Sequence, residues 1–351
     1  MWCIAVDKSW KLNTLGDNFV IVLSSFQRPA KAIDNWQPKK VITMDYINKL
    51  KNLVIGDQCE EKVSKILPIS DKEFSCKPDE CHNKYKESCF ELRGDVASLP
   101  LYESAKPADL HFLVSTGKTD WEHDAFEEEN TILGLFATEA KKLGNECDIS
   151  TSSNVTNQPL NIMDADYLSL NKLDVLLQPW FVWIKGLTKD NMVDIFRVVK
   201  DVVSKSKADE SVRGTEGVIL IERLKEFKDV RVEKDINRAY ILLCSHRTRD
   251  KKCGITAPLM KKEFDSELQE HDLYRDASDD REGGAKVIFV NHVGGHKFAA
   301  NVLVYNKNGE FVWFARCNPT NVKFIVNETV LNHKVYPKNI RACASHDAIR
   351  W

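Results

Sequence analysis

The sequence predicts an α/β protein in which two domains of similar architecture follow an irregular N-terminal extension. Three observations lead to this prediction. The 351 residues exceed the length of one typical domain. Short apolar runs of strand length alternate with longer stretches whose apolar residues recur at helical spacing. A segment rich in Ser, Gly and charged residues, 204–217, separates two such sets, and we predict that it is the linker.

Residues 1–105 are predicted to form the irregular extension, because charge is scattered through them without a sustained period. Residues 44–54 have apolar side chains near helical spacing, whereas residues 1–43 carry nothing that suggests chemistry. A polar stretch further along holds three cysteines and a histidine, namely Cys76, Cys81, Cys89 and His82. Their spacing matches no standard zinc pattern, so exposed thiols and a second metal site both stay open.

The N-terminal domain is predicted to cover residues 106–203. It begins with a short apolar run over 110–117 that is typical of a buried strand. A helix is expected over 131–143 and a second strand over 175–184. The helix that follows should be capped by Asp190. Residues 204–237 are assigned to the linker and a connecting helix.

The C-terminal domain is predicted to cover residues 238–340, followed by a tail over 341–351. Its predicted elements are a strand over 238–244, a helix over 258–271, a strand over 286–291, a hairpin over 301–317 and a helix beginning at Thr320. Thr256 is the expected cap of the first helix, with Pro258 in its first turn. The order strand, helix, strand, hairpin, helix is that of a thioredoxin core, so we predict a thioredoxin-like domain.

Bulk composition argues against some classes of partner. The net charge of -2 offers no basic face for nucleic acid. No stretch approaches the roughly 20 apolar residues that cross a bilayer, and the N-terminus has no features of a signal or transit peptide. The ten cysteines should therefore meet a reducing compartment, where clustered thiols indicate metal or redox chemistry. The cytosol is the expected location, with the nucleus as a second compartment.

Four candidate metal ligands lie in two predicted loops of the C-terminal domain. Cys244 and Cys253 bound the first loop, CSHRTRDKKC, and His292 and His296 bound the second, HVGGH. Thiolates suit iron–sulfur clusters, and imidazole can replace thiolate on one iron. The two glycines between the histidines would let the backbone pass close to a cluster. Basic residues of the first loop would offset its negative charge.

Other interpretations of the same residues stay open. The cysteines could be two buried thiols, and the four residues together could hold a structural zinc ion in an interaction module. A thiol enzyme could use Cys244 or Cys253 as its nucleophile beside His246. We expect His246 instead to be a hydrogen-bonding residue of the loop.

The motifs CSHRTRDKKCGITAP and FVNHVGGHKFAANV closely resemble the sucrase/ferredoxin-like family of fungi and plants. The resemblance is weaker through TDWEHDAF and PWFVWI and covers roughly residues 70–340. It implies a thioredoxin-like ferredoxin domain with one [2Fe-2S] cluster, whose ligands fall on Cys244, Cys253, His292 and His296. The N-terminal domain, also thioredoxin-like, would carry no cluster ligands. The family name implies sucrose cleavage as well, but no well-placed carboxylate pair supports it.

The expected function is therefore electron transfer or redox sensing with an unidentified redox partner, and not catalysis on a substrate of its own. Histidine ligation should raise the potential above that of an all-cysteine ferredoxin and couple reduction to proton uptake. Trp351 resembles the aromatic tail that some iron–sulfur proteins present to the cytosolic cluster-targeting machinery, although a disordered end is an equal alternative.

Overall fold

The structure, a computed structural model, describes residues 13–15, 18–20, 59–72, 90, 99–127 and 131–351, with the side chains of 13–15, 18–20 and His296 excepted. The predicted helical stretch at 44–54 and the cysteine-rich stretch at 76–89 lie outside the described residues. The chain forms two compact units, Met1–Gln58 and Cys59–Trp351. The described part of the first is an antiparallel pair of strands, β1 (Asn13–Leu15) and β2 (Asn18–Val20).

The second unit is mixed α/β, which confirms the predicted fold class at that level. Its described strands form one sheet and are β3 (Leu110–Ser115), β4 (Thr151–Thr156), β5 (Leu173–Gln178), β6 (Val182–Leu187), β7 (Arg231–Lys234), β8 (Ala239–Cys244), β9 (Ala285–Val290), β10 (Val302–Asn306), β11 (Glu310–Phe314) and β12 (Ile340–Ser345). Its described helices are a helical stretch over 59–64, α1 (Leu133–Cys147), α2 (Ala165–Leu168), α3 (Met192–Ala208), α4 (Glu216–Leu224), α5 (Lys251–Glu270) and α6 (Val322–Phe324), the last continuing as a π-helix over Ile325–Leu331.

The sheet consists of two halves with the same strand pattern. In the N-terminal half the order is β4-β3-β5-β6-β7, and in the C-terminal half it is β9-β8-β10-β11-β12. In each half the first two strands along the chain are parallel and are joined through a helix. The next three strands follow at one side of this pair, and each is antiparallel to the neighbour it pairs with. The halves meet where β4 pairs with β9, through Thr156 and Val290. The domain boundaries predicted from the sequence stay a prediction.

Both faces of the sheet are buried. Helices α1, α3 and α5 pack on one face, where they bury Phe136, Phe196 and Phe264. The opposite face forms a second core to which both halves contribute, and its buried members are Leu113, Leu176, Phe181, Tyr240, Leu242, Ile288, Val290, Leu303, Tyr305 and Phe311. Apolar burial on this face therefore joins the halves beyond the single β4–β9 contact.

Two predicted elements differ from the structure. The strand expected over 175–184 is a hairpin, β5 and β6, because Pro179 has no backbone N–H for a ladder and the chain turns there. The helix expected over 258–271 begins earlier, at Lys251. Asp250 caps it by accepting a hydrogen bond from the Lys252 N–H at 2.8 Å, so Thr256 is not the cap.

Several other elements follow their predictions closely. The strands at β3, β8 and β9, the hairpin of β10 and β11, and helix α1 are confirmed.

The predicted cap of α3 was wrong: the cap is Asn191 and not Asp190, although Asn191 makes no side-chain capping bond. The segment 204–237 contains the end of α3, all of α4 and edge strand β7, and the segment 341–351 contains most of β12. Among the described helices, none is long and apolar enough to cross a membrane.

Candidate functional site

The site lies at the edge of the sheet where β8 and β9 end. These strands are parallel, and Cys244, the last residue of β8, is paired with Val290, the last residue of β9. Because parallel strands end at the same sheet edge, the cysteine loop and the histidine loop leave the sheet side by side. The sheet thus brings together two motifs that are at least 39 positions apart in the sequence.

Cys253 reaches the same place from the first turn of α5. Both Cys244 and Cys253 are buried, with 2% and 1% of their surface exposed, and they pack with Val293 and Ala299. Gly254 follows directly, and a Cβ there would lie 2.3 Å from the Cβ of Arg247. Glycine is therefore required at this position for the loop to fold tightly onto the start of the helix.

Hydrogen bonds make the two thiols chemically unequal. The Cys253 thiol donates to the Cys244 sulfur, and this bond, with a further one from His292, holds the pKa of Cys244 well below its usual value. The bond to Cys244 and burial raise the pKa of Cys253. Cys244 is thus the first of the pair to become a thiolate, the form that binds metals.

The histidine loop approaches Cys244 through its first residues. His292 hydrogen-bonds the Cys244 sulfur, and the backbone N–H of Val293 does so as well. Gly294 and Gly295 follow with backbone φ angles of 87° and 72°, which residues other than glycine rarely adopt. His296 begins a short 3₁₀ turn, His296–Phe298. Cys253 and His292 therefore both approach Cys244, and the backbone of His296 lies on the same loop as His292.

The residue types at this site are ones that bind metals, but the side chains that the structure describes do not form a metal-binding group. Among the residues whose side chains are described, no group of three or more His, Cys, Asp or Glu residues is arranged to hold a metal ion. Two buried thiols, one of them favoured as thiolate, and a neighbouring imidazole suit either an iron–sulfur cluster or zinc.

His246 acts as a hydrogen-bonding bridge within the site. Its Nε2 donates to the carbonyl oxygens of Trp121 and Glu122, at 3.1 and 2.9 Å. Its Nδ1 accepts from the backbone N–H of His292 at 3.3 Å. The interpretation of His246 as a loop hydrogen-bonding residue is confirmed, and its imidazole ties the histidine loop to the N-terminal half.

The loop after β3, which contains TDWEHDAF, supports the cysteine loop along its length. The Ser245 hydroxyl donates to the carbonyl of Thr119 at 2.9 Å, and Arg249 donates to the carbonyl of His123 at 3.0 Å. Between them, Thr248 donates to Asp120 from both its N–H and its hydroxyl. This contact between the two loops was not predicted from the sequence. The family resemblance of TDWEHDAF was the one sequence feature that could have pointed to it.

A buried chain of polar side chains supports the histidine loop from the shared core. The Tyr305 hydroxyl donates to His111, which donates to Asn154, both at 2.8 Å. Asn154 in turn donates to Asn291, the residue before His292. Burial lowers the pKa of His111 to about 4, so the imidazole is neutral and can both accept and donate. The chain fixes the start of the histidine loop.

Arg341, on β12, holds the middle of the same loop. Its guanidinium donates to the carbonyl of Gly294 and to the Asn301 side chain, both at 3.0 Å. It also donates to the backbone and hydroxyl oxygens of Ser104. A Cβ on Gly295 would lie 2.6 Å from the guanidinium, so only glycine lets Arg341 approach this closely.

Comparison with known proteins places these motifs in a family. The sequence profile of the sucrase/ferredoxin-like family matches residues 101–342, which include both loops and their supports. The chain therefore belongs to the sucrase/ferredoxin-like family, as the motifs predicted. It is 33% identical over 311 residues to Actin patches distal protein 1 of Saccharomyces cerevisiae, a match that covers 82% of this chain and 92% of that protein.

More partial relatives share the name Altered inheritance of mitochondria protein 32. The protein of Meyerozyma guilliermondii is 36% identical over 98 residues, 28% of this chain and 32% of the relative. The protein of Clavispora lusitaniae is 33% identical over 115 residues, 33% of this chain and 37% of the relative. No solved structure matches the chain.

Proposed function

We propose that this chain is an iron–sulfur protein that binds one [2Fe-2S] cluster through Cys244, Cys253, His292 and His296. The contact of His292 with Cys244, which is buried beside Cys253 at the shared end of two parallel strands, is the observation that carries the proposal. Family membership supports it, since the family is named for its similarity to ferredoxins. The bound cluster would supply one-electron redox chemistry, and electron transfer or redox sensing is the proposed role.

The surrounding residues have defined tasks in this proposal. Burial of the two thiols excludes water from their sulfur atoms. His246 holds the backbone of the histidine loop against the N-terminal half, and Arg341 holds the glycines between the two histidines. We propose that an imidazole ligand takes up a proton when the site is reduced, because added electron density makes the ring more basic.

The proposed fold for both halves is thioredoxin-like. Each half repeats a parallel pair joined by a helix, with an antiparallel strand pair added beside it, and this pattern supports the proposal. In the N-terminal half the strand end that corresponds to Cys244 is Ser115, a residue unsuited to holding iron. We propose that this half shields and positions the cluster site through its TDWEHDAF loop.

The first experiment is the ultraviolet–visible spectrum of anaerobically purified protein, with iron, sulfide and zinc assayed on the same sample. We expect sulfide-to-iron charge-transfer bands with about two irons and two sulfides per chain. Zinc is colourless, so a colourless protein that contains zinc after reconstitution would overturn the proposal. The same ligands would then form a structural zinc site in an interaction module.

We further propose that the Trp351 side chain is recognised by the cytosolic cluster-targeting machinery, and that the protein works in the cytosol with a separate redox partner. The indole is 40% exposed and packs against Lys234, whose Nζ lies 4.9 Å from the ring centroid. The Arg350 guanidinium anchors the neighbouring backbone by donating to the carbonyl of Arg213 at 2.7 Å.

Deleting Trp351 should lower cluster occupancy in cells while leaving occupancy after chemical reconstitution unchanged, because only delivery depends on the indole. Iron and sulfide per chain measure both. Occupancy of the deleted chain after chemical reconstitution is the internal control, because it does not depend on delivery in cells. Equal occupancy of the wild-type and deleted chains in cells would remove the proposed role of Trp351.

A further inference from the structure

A cleft of about 470 Å³ opens directly beside the histidine loop. Its walls are residues 104–108, the start of β4 at 150–152, the loop at 293–295, Trp313 and Arg341. This volume lies within the range of small-molecule sites. None of the proposed metal ligands lines the cleft, although their loop forms one wall.

The floor of the cleft carries a buried positive charge. Arg341 is 3% exposed, and its described hydrogen-bond acceptors are all uncharged: the Gly294 carbonyl, the Asn301 amide and two oxygens of Ser104. Trp313 lies against the guanidinium at 4.6 Å from ring centroid to Cζ. A buried cation without an anion is costly, so negative charge in the cleft would be stabilising.

The other lining residues reinforce this preference. Lys106 adds a second, exposed cation, and Ser152 adds a hydroxyl group. Of the described residues that line the cleft, none is acidic. The nearby carboxylate of Asp109 accepts hydrogen bonds from the N–H and hydroxyl of Ser150, at 2.7 and 2.8 Å, so two donors already engage it.

Two other cavities among the described residues lack this character. The one between α1 and α3 is lined by Glu139 and Glu146 as well as by lysines, and Glu146 pairs with Lys200. The groove along α5 is similarly mixed, with Lys261 paired to Asp265. Only the cleft beside the histidine loop combines a ligand-sized volume with an uncompensated buried cation in the described part of the chain.

The geometry points to a binding site in this cleft for a small oxyanion, either a carboxylate or a phosphate group of a small molecule. Arg341 attracts the anion through its charge, Lys106 adds a second positive charge, and the Ser152 hydroxyl is available as a donor. An anion seated there contacts the loop that carries His292 and His296. The site does not require the cluster, so it stands apart from the proposed function.

Calorimetric titration of the full chain with inorganic phosphate and, separately, with citrate tests this site at constant ionic strength. We expect saturable binding of at least one anion. Lys106→Gln should weaken it by about threefold or more, the scale of one exposed charge. Ser152→Phe should abolish it by filling the cleft, because Ser152 lines it. Lys338→Gln, an exposed lysine outside the cleft, is the matched control and should bind as the wild type does.

The pattern of binding identifies the ligand class. Binding of phosphate alone indicates a phosphorylated ligand, binding of citrate alone indicates a carboxylate, and binding of both indicates a general oxyanion site. Thermal unfolding verifies that each variant is folded, and both cleft variants leave Arg341 in place. The inference is overturned if neither anion binds saturably, or if the two cleft variants bind as tightly as the Lys338→Gln control.

Discussion

Replacing either Cys244 or Cys253 with alanine should remove nearly all iron and sulfide from the purified protein and abolish its visible absorbance. Each alanine deletes one of two thiolates, and the remaining thiol with imidazoles is a poor ligand set for a [2Fe-2S] cluster. The two sulfurs are hydrogen-bonded neighbours and almost completely buried, so no other thiol can take the vacant position without moving the sheet edge. Iron and sulfide assays on the anaerobically purified variants measure the effect.

Cys317→Ala is the matched control. This thiol is also 2% exposed, so its removal costs similar packing, but it hydrogen-bonds neither cysteine of the site. The control should keep the wild-type iron and sulfide content. If the Cys244 and Cys253 variants also keep it, the cluster is bound elsewhere and the proposed ligands are wrong.

The local elements of the C-terminal half were predictable because each has a strong periodic signal. β8 and β9 are compact apolar runs, and the alternation around the turn at 306–309 indicates the hairpin of β10 and β11. The start of α5 was not predictable in the same way. Its first turn is built from charged residues of the cysteine loop, and it begins there because Asp250 caps it.

Contacts between distant segments could not be predicted from periodicity. The pairing of the two loops followed from the parallel strand order, but the support by Trp121, His111 and Arg341 depends on tertiary packing over more than 40 residues of sequence. Arg341 and His111 are polar residues in strands, where sequence patterns favour exposure, and the structure buries both. Burial of these two polar side chains is explained by their hydrogen-bond partners, which come from distant parts of the chain.

Replacing both histidines with cysteine should lower the midpoint potential of the cluster and remove its dependence on pH. Neutral imidazoles leave a cluster less negative than thiolates do, so thiolate ligation should move the potential from the Rieske range of about -150 to +300 mV toward the roughly -400 mV of plant-type ferredoxins. In the wild type, uptake of one proton with one electron should give a slope of about 59 mV per pH unit. Potentiometric titration between about pH 6 and 10 measures both quantities.

The single variants His292→Cys and His296→Cys separate the two histidines, because the pH dependence should vanish only when the histidine that takes up the proton is replaced. His271→Cys is the control, since His271 contacts Glu267 on α5 and is not part of the site. A wild-type potential that stays flat across the pH range would contradict proton coupling while leaving the ligand assignment intact. A slope that persists in the double variant would instead assign the proton to another group.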